Sequence, residues 1–250
     1  MKKYLWKCFP LFVLIAFAFQ IKKNTTVYLI GDSTIANKDI RAYPETGWGM
    51  PFGHFFDSSV VIDNRAKNGR STRTFIEEGL WQPVVDNLAE GDYVFIQFGH
   101  NDEVETKKSF TTKEQFTANL KRYVTETRVK KAIPVLLTPV ARRKFDSSGR
   151  IVSTHEVYSE LVRTIAKQLA VPLIDLDKKS QALLQQLGVE TSKHLFNHLQ
   201  AGEHPNYPEG KVDDTHFNEY GARSMAQLVL AGIKENGLGL TNKIIRPASK

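Results

Sequence analysis

The sequence predicts an α/β fold in which a five-stranded parallel sheet is covered by helices on both faces. Five short apolar runs recur along the chain, and polar turns follow them. Between these runs, apolar residues recur at helical spacing. Strands that alternate with helices in this way form βαβ crossovers, which make neighbouring strands parallel.

The apolar runs predict strands at 27–30, 60–62, 93–98, 133–137 and 171–175. Helices are predicted near 52–56, 81–88, 116–124, 157–169, 182–187 and 222–233. Pro172 near the start of the fifth run is typical of an edge strand, because proline cannot donate a ladder hydrogen bond. We expect a long loop over 188–212 and an exposed loop over 142–149. No linker divides the chain, so 24–240 is predicted to be one domain.

The first residues have the pattern of a secretory signal peptide. Lysines precede a nearly continuous apolar run over 9–19, and Ala16-Phe17-Ala18 is a small-x-small cleavage site. We therefore predict a signal peptide over 1–18 and a secreted or periplasmic protein with no membrane contact after cleavage. An uncleaved anchor is the alternative, although the run is short for a span. The only cysteine, Cys8, lies in this leader, so the mature chain has neither a disulfide nor a thiolate nucleophile.

The charge of the chain is mildly basic and dispersed. The formal net charge is +7, and about +4 remains without the three lysines of the leader. A nucleic-acid binder has its basic residues concentrated in a stripe, so no nucleic-acid partner is expected. An acidic polymer would suit this charge as a substrate.

Ser33 comes directly after the first predicted strand, in the turn Gly31-Asp32-Ser33. A serine just past the carboxyl end of a buried strand lies where open α/β sheets bind their ligands. The alternative is that Ser33 only caps a helix. Polar turns that contain Gly69 and Asn101 follow the second and third strands. Because parallel strands end at one edge of a sheet, the three turns are expected to lie close together.

These turns contain the groups that ester hydrolysis requires: a nucleophile, a base, a residue that orients the base, and oxyanion donors. Ser33 can be the nucleophile and His216 the base. The backbone N–H groups of Ser33 and Gly69 and the side-chain amide of Asn101 can stabilise the oxyanion. Spacing alone does not choose between Asp213 and Asp214 as the carboxylate that orients His216. Taken singly, each of these residues also suits a turn, a cap or a surface position.

Four blocks in this order resemble those of the SGNH (GDSL-like) hydrolases. They are Gly31-Asp32-Ser33, Gly69, Gly99-His100-Asn101-Asp102 and Asp213-Asp214-Thr215-His216. The last block has the pattern Asp, two residues, His, so the resemblance assigns the orienting role to Asp213. It implies a flavodoxin-like fold, a three-layer α/β/α sandwich.

Longer segments resemble the rhamnogalacturonan acetylesterases, carbohydrate esterase family 12. These segments are 31–34, 47–49, 68–75, 91–102 and 214–217. The resemblance implies a serine esterase that removes acetyl groups from a pectin backbone, with no metal or organic cofactor. Other acetylated sugars such as xylan, or a lipid or thioester substrate, are alternatives within the superfamily.

Arg70 and Trp48 are the predicted substrate-binding residues. Arg70, with Arg73 nearby, can bind a galacturonate carboxylate, and Trp48 can stack on a sugar ring. The alternatives are that the arginines pair with protein carboxylates and that Trp48 belongs to the core. A non-catalytic sugar-binding module would use Trp48 and Trp81.

A metal protein is the alternative from a different functional class. Its ligands would come from His194, His198 and His204 together with Asp213 and His216. The spacing of His194 and His198 suits one face of a helix. Glycine and proline farther along the predicted loop argue against a helical ligand pair there.

Overall fold

The computed structural model describes residues 24–245 and contains the predicted parallel sheet. Its strands are β1 (Thr25–Gly31), β2 (Val60–Asn64), β3 (Tyr93–Gln97), β4 (Ile133–Leu137) and β5 (Leu173–Ile174). The strand order is β2-β1-β3-β4-β5, and every pairing is parallel. Strands β1 and β3 therefore lie inside the sheet, and the short β5 lies at an edge as Pro172 predicts.

Seven α-helices connect these strands in the described part of the chain. They are α1 (Gly49–Phe52), α2 (Thr72–Glu77), α3 (Gln82–Asn87), α4 (Lys113–Val129), α5 (Glu156–Gln168), α6 (Leu176–Thr191) and α7 (Glu219–Glu235). Short 3-10 segments occur at Ile40–Ala42, Gly53–Phe55, Ser192–Leu195 and Gly239–Lys243. The apolar pattern of the sequence does not predict α2. Its N-terminus is marked by a capping box in which Ser71 and Thr74 bond reciprocally.

The side chains of the sheet alternate between two apolar cores, one on each face. Val27 and Leu29 pack with residues of α1, α6 and α7, whereas Tyr28 and Ile30 pack with residues of α2, α3, α4 and α5. This two-residue alternation is what a strand buried on both faces requires. Helices thus cover both faces of the sheet, which confirms the predicted three-layer α/β/α sandwich.

A two-stranded antiparallel sheet replaces part of the predicted 188–212 loop. Its strands are β6 (Phe196–Leu199) and β7 (Lys211–Phe217). The two strands have an irregular register, because Phe217 pairs with Phe196 while Asp213 pairs with Asn197. Three residues, 214–216, are therefore displaced from the ladder as a bulge.

The predicted signal peptide, residues 1–18, lies outside the described residues. Among residues 24–245, no helix has the length and apolar character needed to cross a membrane.

Candidate active site

The polar turns after β1, β2 and β3 meet at the carboxyl edge of the sheet, as predicted. Ser33, Gly69 and Asn101 line one cavity of about 400 Å³, together with Asp213 and His216. We call it the catalytic cavity. Three of these residues lie in turns at the edge of the sheet, and the other two, Asp213 and His216, lie on β7. Residues nearly two hundred positions apart in the sequence therefore face each other.

A continuous hydrogen-bonded series links Ser33, His216 and Asp213. The hydroxyl of Ser33 lies 2.9 Å from Nε2 of His216. Nδ1 of His216 lies 2.8 Å from Oδ2 of Asp213. No α-helix starts after Ser33 until α1 at Gly49, so Ser33 is not a helix cap. The alternative that the sequence left open for Ser33 is therefore excluded.

The bulge of β7 holds Asp213 and His216 in a fixed relation. Oδ1 of Asp213 accepts hydrogen bonds from the backbone N–H groups of Thr215 (2.8 Å) and His216 (2.9 Å), which closes a tight turn. Burial alone would raise the pKa of Asp213, but the hydrogen bonds from His216 and Thr215 outweigh it and hold that pKa well below its ordinary value. Asp213 is thus an ionised carboxylate that orients the imidazole.

The carboxylate of Asp214 has hydrogen-bond partners that differ from those of Asp213. Its Oδ1 lies 2.8 Å from Nη1 of Arg143 and 2.8 Å from Nε2 of His198. Of the two aspartates, Asp213 is the one that hydrogen-bonds to the ring of His216, and it is also the one that the family resemblance favours.

The conformations of Gly69 and Asn101 suit oxyanion donors. Gly69 has φ +77°, in the left-handed region, where a side chain would be strained although there is space for it. Nδ2 of Asn101 donates one hydrogen to the carbonyl of Arg70 (3.1 Å), and its Oδ1 accepts from Lys107 (3.3 Å). These two bonds fix the amide orientation, so the second Nδ2 hydrogen remains for a ligand.

The turns after β1 and β3 also contain three buried titratable residues. Asp32 is fully buried, which raises the pKa of its carboxyl, although the bonds from Thr34 to its Oδ1 oppose that rise. Asp102 binds the N–H and hydroxyl of Thr72 at the start of α2, and burial raises its pKa to about 7. His100 lines the catalytic cavity, and burial holds its pKa well below the usual value, so its imidazole is neutral.

The sequence model of the GDSL-like Lipase/Acylhydrolase family matches residues 29–223, a span that includes all of these turns. The chain belongs to this family. It is 43% identical over 232 residues to Rhamnogalacturonan acetylesterase RhgT of Bacillus subtilis, and the match covers 92% of this chain and 99% of RhgT. It is 26% identical over 242 residues to the Rhamnogalacturonan acetylesterase of Emericella nidulans, with coverage of 88% and 89%. The resemblance inferred from the sequence blocks is thereby confirmed.

Solved structures agree with this assignment. The YxiM protein of Bacillus subtilis superposes with a TM-score of 0.75 at 27% identity, covering 87% of this chain and 58% of that longer chain. Axe2, an acetylxylan esterase from Geobacillus stearothermophilus, superposes with a TM-score of 0.60 at 18% identity, with coverage of 85% and 96%. At that identity the likeness to Axe2 supports the fold alone.

Trp48 is not available to substrate, which corrects the prediction that it stacks on a sugar. Its side chain has no exposed surface, and its ring packs edge-on against Phe52. Its Nε1 donates to Gln97 Oε1 at 3.0 Å, so both the ring and its polar atom are satisfied in the core. Trp81 is also buried and bonds to Glu126. The tryptophan pair that a sugar-binding module would use is therefore absent from the described surface.

Arg70 and Arg73 already have protein carboxylates as partners. Arg70 lies 2.8 Å from Glu78, and Arg73 pairs with Glu77 four residues on. Arg70 does not line the catalytic cavity. The structure thus agrees with the alternative that Arg70 and Arg73 pair with protein carboxylates.

Lys107 and Arg142 are the cationic residues that do line the catalytic cavity, and no sequence motif singles them out. Arg142 donates to Thr215 Oγ1 at 3.2 Å and to the carbonyl of His100 at 3.3 Å. It was expected in an exposed loop with Arg143, but Arg143 is buried. The side chains of Arg142 and Arg143 both bond to residues that are distant in the sequence, and no local pattern reveals such contacts.

The three histidines of the metal hypothesis are dispersed. His198 bonds to Asp214, and Nδ1 of His204 accepts the N–H of Asn206. His194 lies on the 3-10 segment before β6. None of them joins a group of potential metal ligands among residues 24–245.

Glu45, Asp213 and His216 are the one described group whose ligand atoms lie within 4.8 Å of one another. Lys211 Nζ lies 3.2 Å from Glu45 and 3.6 Å from Asp213. A protein ammonium therefore already pairs with both carboxylates.

Proposed function

We propose that this protein is a serine esterase that removes O-acetyl groups from rhamnogalacturonan, through an acetyl-enzyme on Ser33. The observation that carries the proposal is the Ser33–His216–Asp213 series, with bonds of 2.9 and 2.8 Å, in a cavity shared with Gly69 and Asn101. The similarity to enzymes named rhamnogalacturonan acetylesterases, at 43% and 26% identity, supports this substrate.

In the first half of the reaction, Ser33 Oγ attacks the acetyl carbonyl while Nε2 of His216 takes its proton. The carbonyl becomes a tetrahedral oxyanion, which the N–H groups of Ser33 and Gly69 and the amide of Asn101 stabilise. His216 then gives the proton to the sugar oxygen as the C–O bond breaks. The sugar leaves with a free hydroxyl, and the acetyl group remains on Ser33.

In the second half, a water molecule attacks the acetyl-enzyme and His216 again acts as base. The collapse of the second tetrahedral intermediate returns the proton to Ser33 and releases acetate. Asp213 stays ionised throughout and stabilises the imidazolium that forms twice in the cycle. The low pKa of Asp213 supports this role.

The lining of the catalytic cavity favours a short acyl group on a polar carrier. Its side chains are polar or charged, among them Glu45, Asn68, Lys107 and Arg142. A long acyl chain needs an apolar wall to replace water, and no apolar side chain among the described residues lines the catalytic cavity. This observation argues against the lipid and thioester alternatives.

An adjoining cavity of about 970 Å³ gives room for further sugar units. It shares Arg142 with the catalytic cavity, and its wall combines carboxylates such as Glu105 and Glu156 with the apolar surface of Phe110 and Val157. Carboxylates accept hydrogen bonds from sugar hydroxyls, and apolar side chains cover the faces of sugar rings. We infer that neutral sugar units next to the acetylated one occupy this cavity, because four glutamates line it and would repel uronate carboxylates.

We further propose that residues 24–240 act as one hydrolase domain and that the signal peptide over 1–18 directs the enzyme to the periplasm or the cell exterior. The apolar leader with its small-x-small site supports this placement. A large plant polymer cannot enter a cell, so an enzyme acting on it must meet it outside.

A panel of acetylated substrates tests the function. The full chain is assayed on acetylated pectin, acetylated xylan, p-nitrophenyl acetate and p-nitrophenyl octanoate. We expect the highest kcat/KM on pectin and the lowest on the octanoate. The S33A variant serves as the inactive control. A higher kcat/KM on xylan would reassign the polymer, and no acetate release from any substrate would refute the esterase. Activity lost on chelation would instead support a metal protein.

A further inference from the structure

A cluster of three charged residues adjoins the catalytic residues without belonging to the family blocks. Glu45 bonds through one carboxylate oxygen to Lys38 (2.8 Å) and through the other to Lys211 (3.2 Å). The side chain of Lys38 is only 2% exposed and that of Glu45 13%. An ion pair this far from solvent is screened weakly, so its geometry is more constrained than that of a surface pair.

The cluster joins parts of the chain that carry different halves of the catalytic machinery. Lys38 follows the nucleophile turn, and its ammonium also donates to Asn68 Oδ1 at 2.9 Å, next to Gly69. Lys211 lies on β7 and is 3.6 Å from Asp213 Oδ2. Beside Glu45, the N–H of Thr46 donates to the carbonyl of Phe217 at the end of β7 (2.8 Å). Glu45 therefore connects the sheet edge to the β6–β7 pair.

Glu45 also contributes to the charge around the imidazole. A carboxylate oxygen of Glu45 lies within 4.8 Å of ligand atoms of both Asp213 and His216. Burial would raise the pKa of Glu45, but the bonds and charges of Lys38, His216 and Lys211 hold it below its ordinary value, so the carboxylate is ionised. The buried Asp32 and His100 also interact electrostatically with His216, and the cations Lys107 and Arg142 line the same cavity.

We propose that Glu45 is a positioning residue that keeps Asp213 and His216 in register with Ser33 and balances the two lysine charges beside them. The proposal rests on the esterase roles given above to Ser33, Asp213 and His216. Glu45 acts through Lys38 and Lys211 and takes no part in bond making. An imidazolium formed in the transition state faces two carboxylates and the ammonium of Lys211, and the carboxylate of Glu45 offsets that ammonium.

The test compares E45Q with K211M, since the two changes remove charges of opposite sign. On neutral p-nitrophenyl acetate, each variant should lower kcat about 10- to 100-fold with little change in KM, because a small misplacement of the base is costly. The acid limb of the pH profile of kcat/KM should move to lower pH in E45Q and to higher pH in K211M. Each shift should be about half a unit to one unit for one charge near the ring.

Shifts of the two pH profiles in opposite directions would support positioning and charge balance by Glu45. If Glu45 had a purely structural role, the profiles of E45Q and K211M would move in the same direction or not at all. The matched control is E235Q, which removes the carboxylate of the Lys179–Glu235 pair (2.6 Å) on the surface of α6 and α7. E235Q should keep the wild-type kcat and profile.

Wild-type kcat and an unshifted profile in E45Q would overturn the proposal, as would a loss confined to KM on acidic substrates. If E45Q does not fold, the test uses K211M alone. An unshifted pH profile in K211M would then overturn the proposal. A wild-type enzyme that hydrolyses no ester refutes the proposed function itself, which is a separate outcome.

Discussion

The two halves of the catalytic cavity are built on supports of different rigidity. Ser33 and Asn101 follow β1 and β3, which pair with strands on both sides inside a five-stranded sheet. Asp213 and His216 lie on β7, which pairs with β6 alone. A two-stranded ribbon is marginally stable by itself, so its position depends on what it packs against.

Because the β6–β7 pair has no further strand of the described chain beside it, side-chain contacts hold most of it in position. Phe196 and Phe217 bury their rings in the core 5.1 Å apart, which anchors one end. Arg143 and Glu45 fix the rest through ion pairs with Asp214 and Lys211. The backbone therefore places Ser33, the proposed nucleophile, whereas side chains place His216, the proposed base. Single substitutions should disturb the position of His216 more readily.

The largest effect is expected from removing the base itself. H216A should lower kcat about 10⁴-fold or more, because Ser33 then has no group to take its proton. Its melting temperature should stay near that of the wild type, since the half-buried His216 contributes little to the core. H198A is the matched control on the same β6–β7 pair and should keep most of its activity. Comparable turnover in H216A and the wild type would contradict the assignment.

On the sheet side, N101A should lower kcat about 10²- to 10³-fold, or roughly 3 kcal/mol of transition-state stabilisation. The effect is smaller than for His216 because the N–H groups of Ser33 and Gly69 remain. KM should change little, since the amide acts on the oxyanion and less on the ground state. N87A, on the exposed end of α3, is the control. If N101A keeps wild-type kcat, the amide does not act as an oxyanion donor.

A smaller loss of rate, with a loss of stability, is expected from R143M. The side chain of Arg143 is 8% exposed and binds Asp214, Ser192 and the carbonyl of Val189. Removing it takes the donor from the buried Ser192 Oγ and the ion-pair partner from Asp214, which should lower the free energy of unfolding by about 2–3 kcal/mol. We expect kcat to fall about 10-fold, because the β6–β7 pair loosens and the base moves.

Denaturant unfolding and kinetics of R143M are compared with those of R223M, which breaks the exposed pair of Arg223 and Glu219 on α7. R223M should cost less than about 0.5 kcal/mol and leave kcat unchanged. Equal stability losses in the two variants would show that the β6–β7 pair does not depend on Arg143.

The same contrast explains what the sequence could predict. The apolar runs of the main sheet are continuous and local, so β4 was predicted at 133–137, where it lies at Ile133–Leu137. The β6–β7 pair was missed because its residues, such as His198 and Lys211, show no apolar alternation and pair across a Gly- and Pro-rich segment. Its register is set by contacts far apart in the sequence, which periodicity does not detect.

The same difference between local patterns and contacts distant in the sequence applies to the catalytic site. The ordered blocks predicted Ser33 and His216 side by side because each block has a local pattern. Glu45 was not predicted, since it pairs with Lys211, 166 residues away, and no motif surrounds it. Trp48 was misassigned because composition does not reveal that Gln97 satisfies its indole nitrogen inside the core.

The smallest effect is expected from Arg70, which lies on the sheet side but outside the catalytic cavity. Its guanidinium is held by Glu78 and by the carbonyl of Asn68, each at 2.8 Å. Because this pair is exposed, R70M should change kcat/KM less than about threefold on both acetylated pectin and p-nitrophenyl acetate. A loss of tenfold or more confined to pectin would show that Arg70 leaves Glu78 to bind a uronate carboxylate. E78Q then decides the matter, since freeing Arg70 from its partner would raise activity on pectin only if the arginine binds the polymer.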